Sequence, residues 1–220
     1  MMFNVVRPTT PPACLIQKKY NSEEVVDTLH AIFHGKCYLC EQDELTSPEI
    51  EHLDPHEGDD VKKYDWRNLY YSCGRCNSIK SNTHKNIIDC CNTSIDIFRA
   101  IQCIMPSTPN APVSVKDMGM KNIITLDTIH LLDRCYNDAG TPLRGITRAA
   151  LMEKMFVYFY EFLSYRFTLK DKRSGKTEKD IAKERLLAML DIKFPFSVFW
   201  RWHVLDDSFL RTELQSNINF

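Results

Sequence analysis

Two cysteine pairs with the same two-residue gap constrain this chain more than any other feature. They are Cys37-Tyr-Leu-Cys40 and Cys73-Gly-Arg-Cys76, and 32 residues lie between them. A Cys-x-x-Cys turn places two thiolates on one side of a tight bend, and two such turns supply the four sulfurs of a tetrahedral zinc site. The spacing therefore predicts a structural zinc ion that joins two chain segments, bound by Cys37, Cys40, Cys73 and Cys76.

The alternative is that ordinary cysteines fall at these positions by chance. The chain has nine cysteines, so one such pair could arise by accident, whereas two pairs in so short a segment favour zinc. A disulfide framework is the weaker interpretation, because the count is odd and the N-terminus lacks the apolar stretch of a secretion signal. A site closed by four cysteines leaves no position open for substrate, so any chemistry must come from other residues.

Composition limits the classes of protein that the chain can belong to. Its 220 residues, 44% of them hydrophobic and 26% charged, suit one globular domain of ordinary size or a small module with an appended part. A net charge of −1 excludes a protein that coats nucleic acid by bulk charge alone. No segment has the roughly 18 uncharged apolar residues of a membrane span, so we expect no membrane partner and a cytoplasmic location.

Proline positions and apolar patterns divide the chain into three parts. Prolines 8, 11 and 12 predict an irregular N-terminal arm over residues 1–20. A cysteine-rich part follows over residues 21–105, and the segment 106–112, rich in Pro, Ser, Thr and Asn, is the predicted linker. Residues 113–220 are predicted to form a helical region, because their apolar residues recur at helical spacing.

Apolar residues within the C-terminal region predict where its core lies. One helix carries a stripe of Leu151, Met155, Phe159 and Leu163, and its neighbouring aromatic residues predict burial on most sides. Those neighbours are Phe156, Tyr160 and Phe167. The aromatic residues near the end of the chain are expected to fill the helical core, although some of them could dock a partner; they are Phe194, Phe196, Phe199, Trp200 and Trp202.

A second pattern lies between and around the cysteine pairs. Between them stands Ile50-Glu51-His52-Leu53-Asp54-Pro55-His56, and Asn68-Leu69 precedes Cys73-Gly-Arg-Cys76-Asn77-Ser-Ile-Lys80. An acid–His pair after a strand, an Asn in the hairpin and a final Cys-x-x-Cys-Asn-x-x-Lys resemble the zinc-knuckle HNH endonuclease family over residues 37–85. The resemblance implies an α+β fold, in which a small ββα-metal core with a structural four-cysteine zinc site precedes a mainly helical C-terminal extension.

The same resemblance implies a role for each matching residue. His52 would be the general base that takes a proton from the attacking water, a task that suits an imidazole with an ordinary pKa near 6.5. Asn68 would brace the loop and orient His52, and Asn77 would occupy the final position of the motif. Glu51 and Asn77 would bind a catalytic Mg²⁺ or Mn²⁺, both of which prefer oxygen ligands. His56 is a possible further ligand, and simple solvation of this loop histidine is an equal alternative.

Charge changes sign along this segment. Residues 41–60 contain nine acidic residues and no Lys or Arg, whereas residues 61–86 contain six basic residues and one acidic residue. Phosphates that approach a metal site need nearby cations, so Arg75, Lys80 and Lys85 are candidate nucleic-acid contacts. Because the acidic loop would repel a polyanion, we expect the chain to bind nucleic acid weakly by itself and to need a larger partner.

At the level of the whole chain, size and helical tail resemble the HNH nuclease subunit of the two-component Septu anti-phage defence systems. That resemblance implies a separate ATPase subunit as partner, DNA as the more favoured substrate and a role in antiviral defence. Two alternatives stay open. The substrate could be RNA, for example a tRNA, or the chain could be a zinc-ribbon adaptor without catalysis in which Glu51 and His52 are incidental.

Overall fold

A computed structural model describes residues 3–140, 145–218 and 220. The described chain is a mixture of helices and two small antiparallel sheets, which confirms the α+β class. The helices are α1 (Glu23–Ile32), α2 (Asp60–Tyr64), α3 (Gly74–Lys80), α4 (Ile97–Ala100), α5 (Ile123–Asn137), α6 (Arg148–Lys170), α7 (Lys176–Met189), α8 (Ser197–Asp206) and α9 (Ser208–Glu213). The strands are β1 (Pro48–His52), β2 (Leu69–Cys73), β3 (Ile101–Ile104) and β4 (Ser114–Asp117). Short 3-10 turns cover Ala13–Gln17, Trp66–Asn68 and Gln215–Asn217.

The first sheet and the helix after it place the predicted site. β1 and β2 run antiparallel, with Pro48 opposite Cys73 and His52 opposite Leu69. α3 begins directly after β2, where the Cys73 thiol accepts a hydrogen bond from the backbone N–H of Cys76 at 3.4 Å. Because side chains alternate along a strand, Glu49 and Glu51 share one face of β1. Both meet α3 on that face.

The predicted linker is a hairpin connection. β3 pairs with β4, Ile101 lies opposite Asp117, and Ile104 lies opposite Ser114. Residues 106–112 therefore join two strands of one sheet, and the proposed boundary at this segment cuts through a sheet. The region 113–220 that is predicted to be helical also begins with a strand, since β4 lies within it.

One hydrophobic core runs from the N-terminal arm to the C-terminal helices. Phe3 and Val5 of the arm are buried in it, as are the four cysteines of the two pairs. The terminal aromatic residues fill this core as expected, since Phe196, Phe199 and Trp200 are all fully buried. On α6 the expected burial on most sides is wrong, because Tyr160 and Phe167 keep 75% and 60% of their surface exposed.

Two buried cations connect the cysteine-rich part to the helical part. Lys36 donates to the backbone carbonyls of Ile192 (2.6 Å) and Phe194 (3.0 Å) and pairs with Glu41 at 3.0 Å. Arg75 donates to the carbonyls of Cys135 (3.0 Å) and Asp138 (2.7 Å). A buried charge is tolerated only with such partners, so these contacts fix the two parts against each other. Among the described residues, no helix has both the length and the apolar character to cross a membrane.

Candidate functional site

The four predicted zinc ligands come together in one buried cluster. The sulfur atoms of Cys37, Cys40, Cys73 and Cys76 all lie within 4.8 Å of one another. Burial by itself would raise the pKa of Cys37, but hydrogen bonds from the other three thiols together lower it well below its ordinary value. Burial raises the pKa values of Cys40 and Cys76. The donor set fits a metal ion and is consistent with structural zinc.

Local backbone contacts hold the two turns against each other. Cys37 donates its N–H to the carbonyl of Gln42 at 2.9 Å, which closes the first turn. Tyr38 donates its N–H to the carbonyl of Tyr71 at 2.9 Å, which ties this turn to β2. The second turn is the junction of β2 and α3. The cluster therefore joins the first turn, β2 and α3 within the hydrophobic core that they share.

Beside this cluster a cavity of about 200 Å³ collects four of the predicted site residues, Glu51, His52, His56 and Asn77. It opens between the end of β1, the loop that follows it and the far end of α3. The remaining residues that line it are Ile50, Pro55, Glu57, Ser81 and Asn82. Residues that are up to 32 positions apart in the sequence thus line one small cavity.

His52 is held in a defined orientation in this cavity. Its Nε2 lies 3.0 Å from the carbonyl oxygen of Lys63, and its ring packs against Tyr20 and His56 at centroid distances of 5.1 and 4.8 Å. Since a carbonyl oxygen only accepts, Nε2 carries the proton and Nδ1 keeps the lone pair. Burial lowers the pKa of His52, so the ring is neutral at neutral pH. A neutral, oriented imidazole can accept a proton at Nδ1.

Asn68 braces the loop that holds His52. Its Oδ1 accepts from the N–H of Asp54 at 2.8 Å, and its Nδ2 donates to the carbonyls of Asp54 (2.8 Å) and Lys62 (3.0 Å). Lys62 precedes Lys63, whose carbonyl orients the imidazole. One amide therefore connects the end of β1 to the backbone that fixes His52, and this arrangement matches the bracing role predicted for Asn68.

Glu51 is engaged inside the protein. Its Oε1 pairs with Lys80 Nζ at 2.5 Å, and its Oε2 accepts from the hydroxyl of Tyr38. Burial raises the pKa of Glu51 to about 7, against the opposing effects of Lys80 and Tyr38. Lys80 also donates to the backbone carbonyl of His52 at 2.7 Å. With both oxygens occupied and an ammonium group beside them, Glu51 is poorly placed to bind a divalent cation.

The predicted set of catalytic metal ligands is not assembled in this arrangement. Asn77 donates to the Glu49 carboxylate at 2.5 Å, and Nδ1 of His56 accepts from the N–H of Gly58 at 3.1 Å. Among the described residues, the groups of three or more His, Cys, Asp or Glu ligand atoms that could hold an ion are the four-cysteine cluster and Asp89–Cys90–Cys91. Neither of them lies among the residues that line the cavity of His52.

Two of the three predicted nucleic-acid contacts are inside the protein. Arg75 and Lys80 are fully buried, because one binds carbonyls near the end of α5 and the other binds Glu51 and the carbonyl of His52. Their burial corrects the expectation that they meet phosphate and gives both a structural role. Lys85 is half-exposed and pairs with Glu57 at 2.6 Å, so its contact with nucleic acid stays a prediction.

Lysines from the basic segment pair with carboxylates from the acidic loop. Lys62 contacts Asp54 at 2.6 Å, and Lys85 contacts Glu57 as described above. Glu57 lines the cavity, so the second of these ion pairs lies at its edge. Weak binding of nucleic acid by the chain alone stays a prediction.

Three contacts of the site were missed by reasoning from the sequence. They are the pairing of Lys80 with Glu51, the hydroxyl of Tyr38 on Glu51, and the Glu49 carboxylate on Asn77. A signal existed for two of them, because Glu49 alternates with Glu51 on β1 and Lys80 follows Asn77 by one helical turn. Tyr38 carried no such signal, since its position depends on how the first cysteine turn packs on β2.

Comparisons with known proteins do not identify a family for this chain. No family model matches the chain, and no curated protein matches it in sequence.

Proposed function

We propose that this chain is an HNH-type endonuclease that hydrolyses phosphodiester bonds of DNA. The observation that carries the proposal is the orientation of His52 at the end of β1. The Lys63 carbonyl fixes its Nε2, and Nδ1 keeps a lone pair in a cavity beside α3. An antiparallel strand pair, a following helix and a four-cysteine cluster surround that histidine in the order that the motif implies.

In the proposed reaction His52 acts as general base. Nδ1 takes a proton from a water molecule as the water oxygen attacks phosphorus, one ester bond from phosphorus to a sugar oxygen breaks, and the leaving oxygen takes up a proton from solvent. The imidazolium that forms is stabilised by the hydrogen bond from Nε2–H to the Lys63 carbonyl. Asn68 is a positioning residue, because it holds the backbone that carries this carbonyl and does not line the cavity. Lys80 and Glu51 are buried next to His52, because Lys80 pairs with Glu51 and donates to the backbone carbonyl of His52.

The proposed zinc ion has a structural role. Four buried thiolates would fill its coordination sphere, which leaves no open position for water or phosphate. A requirement for Mg²⁺ or Mn²⁺ in cleavage remains a prediction from the resemblance, since Glu51 and Asn77 are engaged with Lys80 and Glu49. A cleavage assay with each cation and with chelator measures it directly.

A second candidate function is a zinc-stabilised adaptor without catalysis. The observation in its favour is the closed pair of Glu51 and Lys80, which occupies the position where the motif implies a metal ligand. In the adaptor, His52 would serve only to pack the loop against Tyr20. RNA remains an alternative substrate for the nuclease, because attack at phosphorus depends little on the sugar.

The proposal extends to a partner. By its resemblance to the Septu nuclease subunit, the chain would act with a separate ATPase in the cytoplasm during antiviral defence. Two partly exposed lysines near the cavity are paired with carboxylates, Lys62 with Asp54 and Lys85 with Glu57, which supports the need for a partner that supplies further contacts to nucleic acid. Co-purification from the native host, followed by identification of an ATPase, tests this part separately.

Replacement of His52 distinguishes the nuclease from the adaptor. We expect His52→Ala to lower cleavage of labelled DNA by about 10²–10⁴-fold, the usual contribution of a general base, in assays with the partner and Mg²⁺. Zinc content and the unfolding transition should stay close to those of the unmodified protein. His130→Ala, which changes an exposed histidine on α5, is the matched control.

Parallel assays on labelled DNA and RNA of the same sequence identify the substrate. Cleavage that is unchanged in His52→Ala, or absent from both nucleic acids with the unmodified protein, would contradict the nuclease and favour the adaptor. Preferential cleavage of RNA would retain His52 as base and replace DNA as substrate.

A further inference from the structure

A vicinal cysteine pair lies outside both the four-cysteine cluster and the cavity of His52. Cys90 and Cys91 follow Asp89, and the two sulfurs and a carboxylate oxygen lie within 4.8 Å of one another. The Asp89 carboxylate accepts from the N–H of Cys91 at 2.7 Å and from the hydroxyl of Tyr70 at 2.5 Å. These contacts fix the turn, and the carbonyl of Cys90 accepts from the N–H of Val5 at 3.0 Å.

The two thiols of the pair differ in their access to solvent. Cys90 is buried, with 1% of its surface exposed, whereas Cys91 is half-buried. Burial raises the pKa of Cys90 well above its ordinary value. The hydrogen bond with Cys90 and the positive charge of Arg7 lower the pKa of Cys91 to about 7. The half-buried thiol of Cys91 is therefore the more acidic of the two, and the buried thiol of Cys90 stands next to it.

Arg7 is fixed beside Cys91. Its guanidinium lies between the rings of Trp66 and Tyr70, 4.8 Å from each ring centroid. It donates to the carbonyls of Trp66 and Leu69, both at 2.8 Å. Its buried Nε has no hydrogen-bond partner among the described residues. Reactive cysteines are found in partly exposed, electropositive surroundings of this kind, and redox-sensitive ones have a second thiol within reach.

We propose that Cys91 and Cys90 form a redox-modification site that is oxidised by hydroperoxides to a vicinal disulfide. The Cys91 thiolate attacks the peroxide O–O bond, which gives a sulfenic acid and releases hydroxide or alkoxide that takes up a proton. The Cys90 thiol then attacks the sulfenic sulfur, so that the S–S bond forms and water leaves. Two thiols lose two electrons, and one hydroperoxide is reduced to water and water or alcohol.

Neighbouring groups favour oxidation over metal binding at this site. The positive charge of Arg7 opposes a cation, whereas it stabilises a thiolate. Adjacent Cα atoms are about 3.8 Å apart, closer than the usual separation across a disulfide, so the product ring is strained and readily reduced by thiols. The modification would therefore be reversible.

The chain contains its own comparison residue. Cys14 is also half-buried, but its thiol lies 2.9 Å from the hydroxyl of Ser22 and beside the Glu24 carboxylate. It thus has similar access to solvent, but its thiol contacts a hydroxyl and a carboxylate, whereas that of Cys91 lies beside Arg7 and the Cys90 thiol. A difference in reactivity between Cys91 and Cys14 measures the effect of Arg7 and Cys90.

Mass spectrometry of the zinc-loaded full chain tests the proposal. Trypsin releases residues 86–99, whose only cysteines are Cys90 and Cys91. After treatment with stoichiometric hydrogen peroxide and alkylation, this peptide should lose the mass of two hydrogen atoms, and dithiothreitol should reverse the change. Cys14 and the four clustered cysteines should be oxidised at least tenfold more slowly, with zinc retained.

Two variants separate the steps of the reaction. Cys90→Ser should stop at a sulfenic acid on Cys91 that dimedone traps, and Cys91→Ser should leave Cys90 open to alkylation after unfolding. The proposal is overturned if Cys14 reacts as fast as Cys91, or if the peptide gains oxygen without losing hydrogen. It is equally overturned if zinc is released while Cys90 and Cys91 are still reduced, or if the pair binds added zinc more readily than it reacts with peroxide.

Discussion

At the scale of single residues, the site contains a buried ion pair between Lys80 and Glu51, and the two side chains differ in how many other partners they have. Lys80 has the Glu51 carboxylate and the His52 carbonyl as acceptors, whereas Glu51 has Lys80 as its cationic partner. A buried pair contributes little net stability, but removal of one partner leaves a charge in a site without solvent. The pair is therefore a strong constraint on substitution and a weak source of stability.

Lys80→Met should lower the stability of the protein by an amount that depends on pH. We expect a loss of about 3–5 kcal/mol at pH 8, because Glu51 would be buried without its cation and would have to take up a proton that the unfolded chain does not hold at that pH. At pH 5 the loss should be smaller, since a carboxyl with a raised pKa is protonated there and its burial costs less. The double variant Lys80→Met/Glu51→Gln should recover most of the stability. Urea unfolding at both pH values measures these differences, and equal losses at pH 5 and pH 8 would contradict the argument.

The same residues show what could be predicted from the sequence. The cysteine spacing and the Glu-His pair depend on local order, and the structure brings these residues into one region. The burial of Arg75 could not be predicted, because its acceptors are carbonyls about 60 residues later in the chain. A basic residue looks the same in the sequence whether it binds phosphate or the carbonyls at a helix end. Only the tertiary fold distinguishes these two roles.

At the scale of elements, the four-cysteine cluster connects the turn after α1 to β2 and α3. A two-stranded sheet is marginally stable by itself in water, so β1, which ends at His52, and β2, which follows Asn68, depend on these sulfurs and on the shared core. The small sheet β3–β4 was not predicted from the sequence. Its strands have four residues each, too few for an alternating pattern to stand out from a helical one.

Loss of the metal should therefore unfold the site before the helices. We expect one zinc ion per chain, and a chelator or Cys73→Ser should remove it with loss of the cooperative transition of the β1–β2–α3 region. Hydrogen exchange of residues 69–80 follows this region, and circular dichroism follows α6 and α7. Cys14→Ser, which changes a cysteine outside the cluster, should keep its zinc. Native protection of residues 69–80 without zinc would show that the metal is dispensable for folding.

At the scale of the whole molecule, the last helices cover the hairpin and close the core. His203 on α8 lies at this junction, where its Nε2 accepts from the N–H of Met105 at 3.3 Å and its ring packs on Phe159 at 4.9 Å. Burial lowers the pKa of His203 to about 4. The folded protein thus keeps a neutral imidazole where the unfolded chain binds a proton below pH 6.5.

Acid should therefore weaken the junction through His203. Between pH 6.5 and pH 4 the unfolded state gains a proton that the folded state does not bind, so stability falls as pH decreases, by up to roughly 3 kcal/mol. His203→Gln keeps an acceptor for Met105 and does not titrate, so its unfolding free energy should depend less steeply on pH. Titration of the cysteines is common to both proteins. Parallel pH profiles would rule out His203 as the cause.

The ammonium group of Lys36 makes the two ends of the chain interdependent. Two of its acceptors are carbonyls of residues 192 and 194, more than 150 positions downstream, and the third is Glu41 within the first cysteine turn. A fragment that stops before residue 192 would lack both carbonyls and would leave this cation dependent on one carboxylate in an apolar setting. The cysteine-rich half would consequently lack some of its contacts if it were expressed alone, and translation must reach the final helices before the first turn acquires all of them.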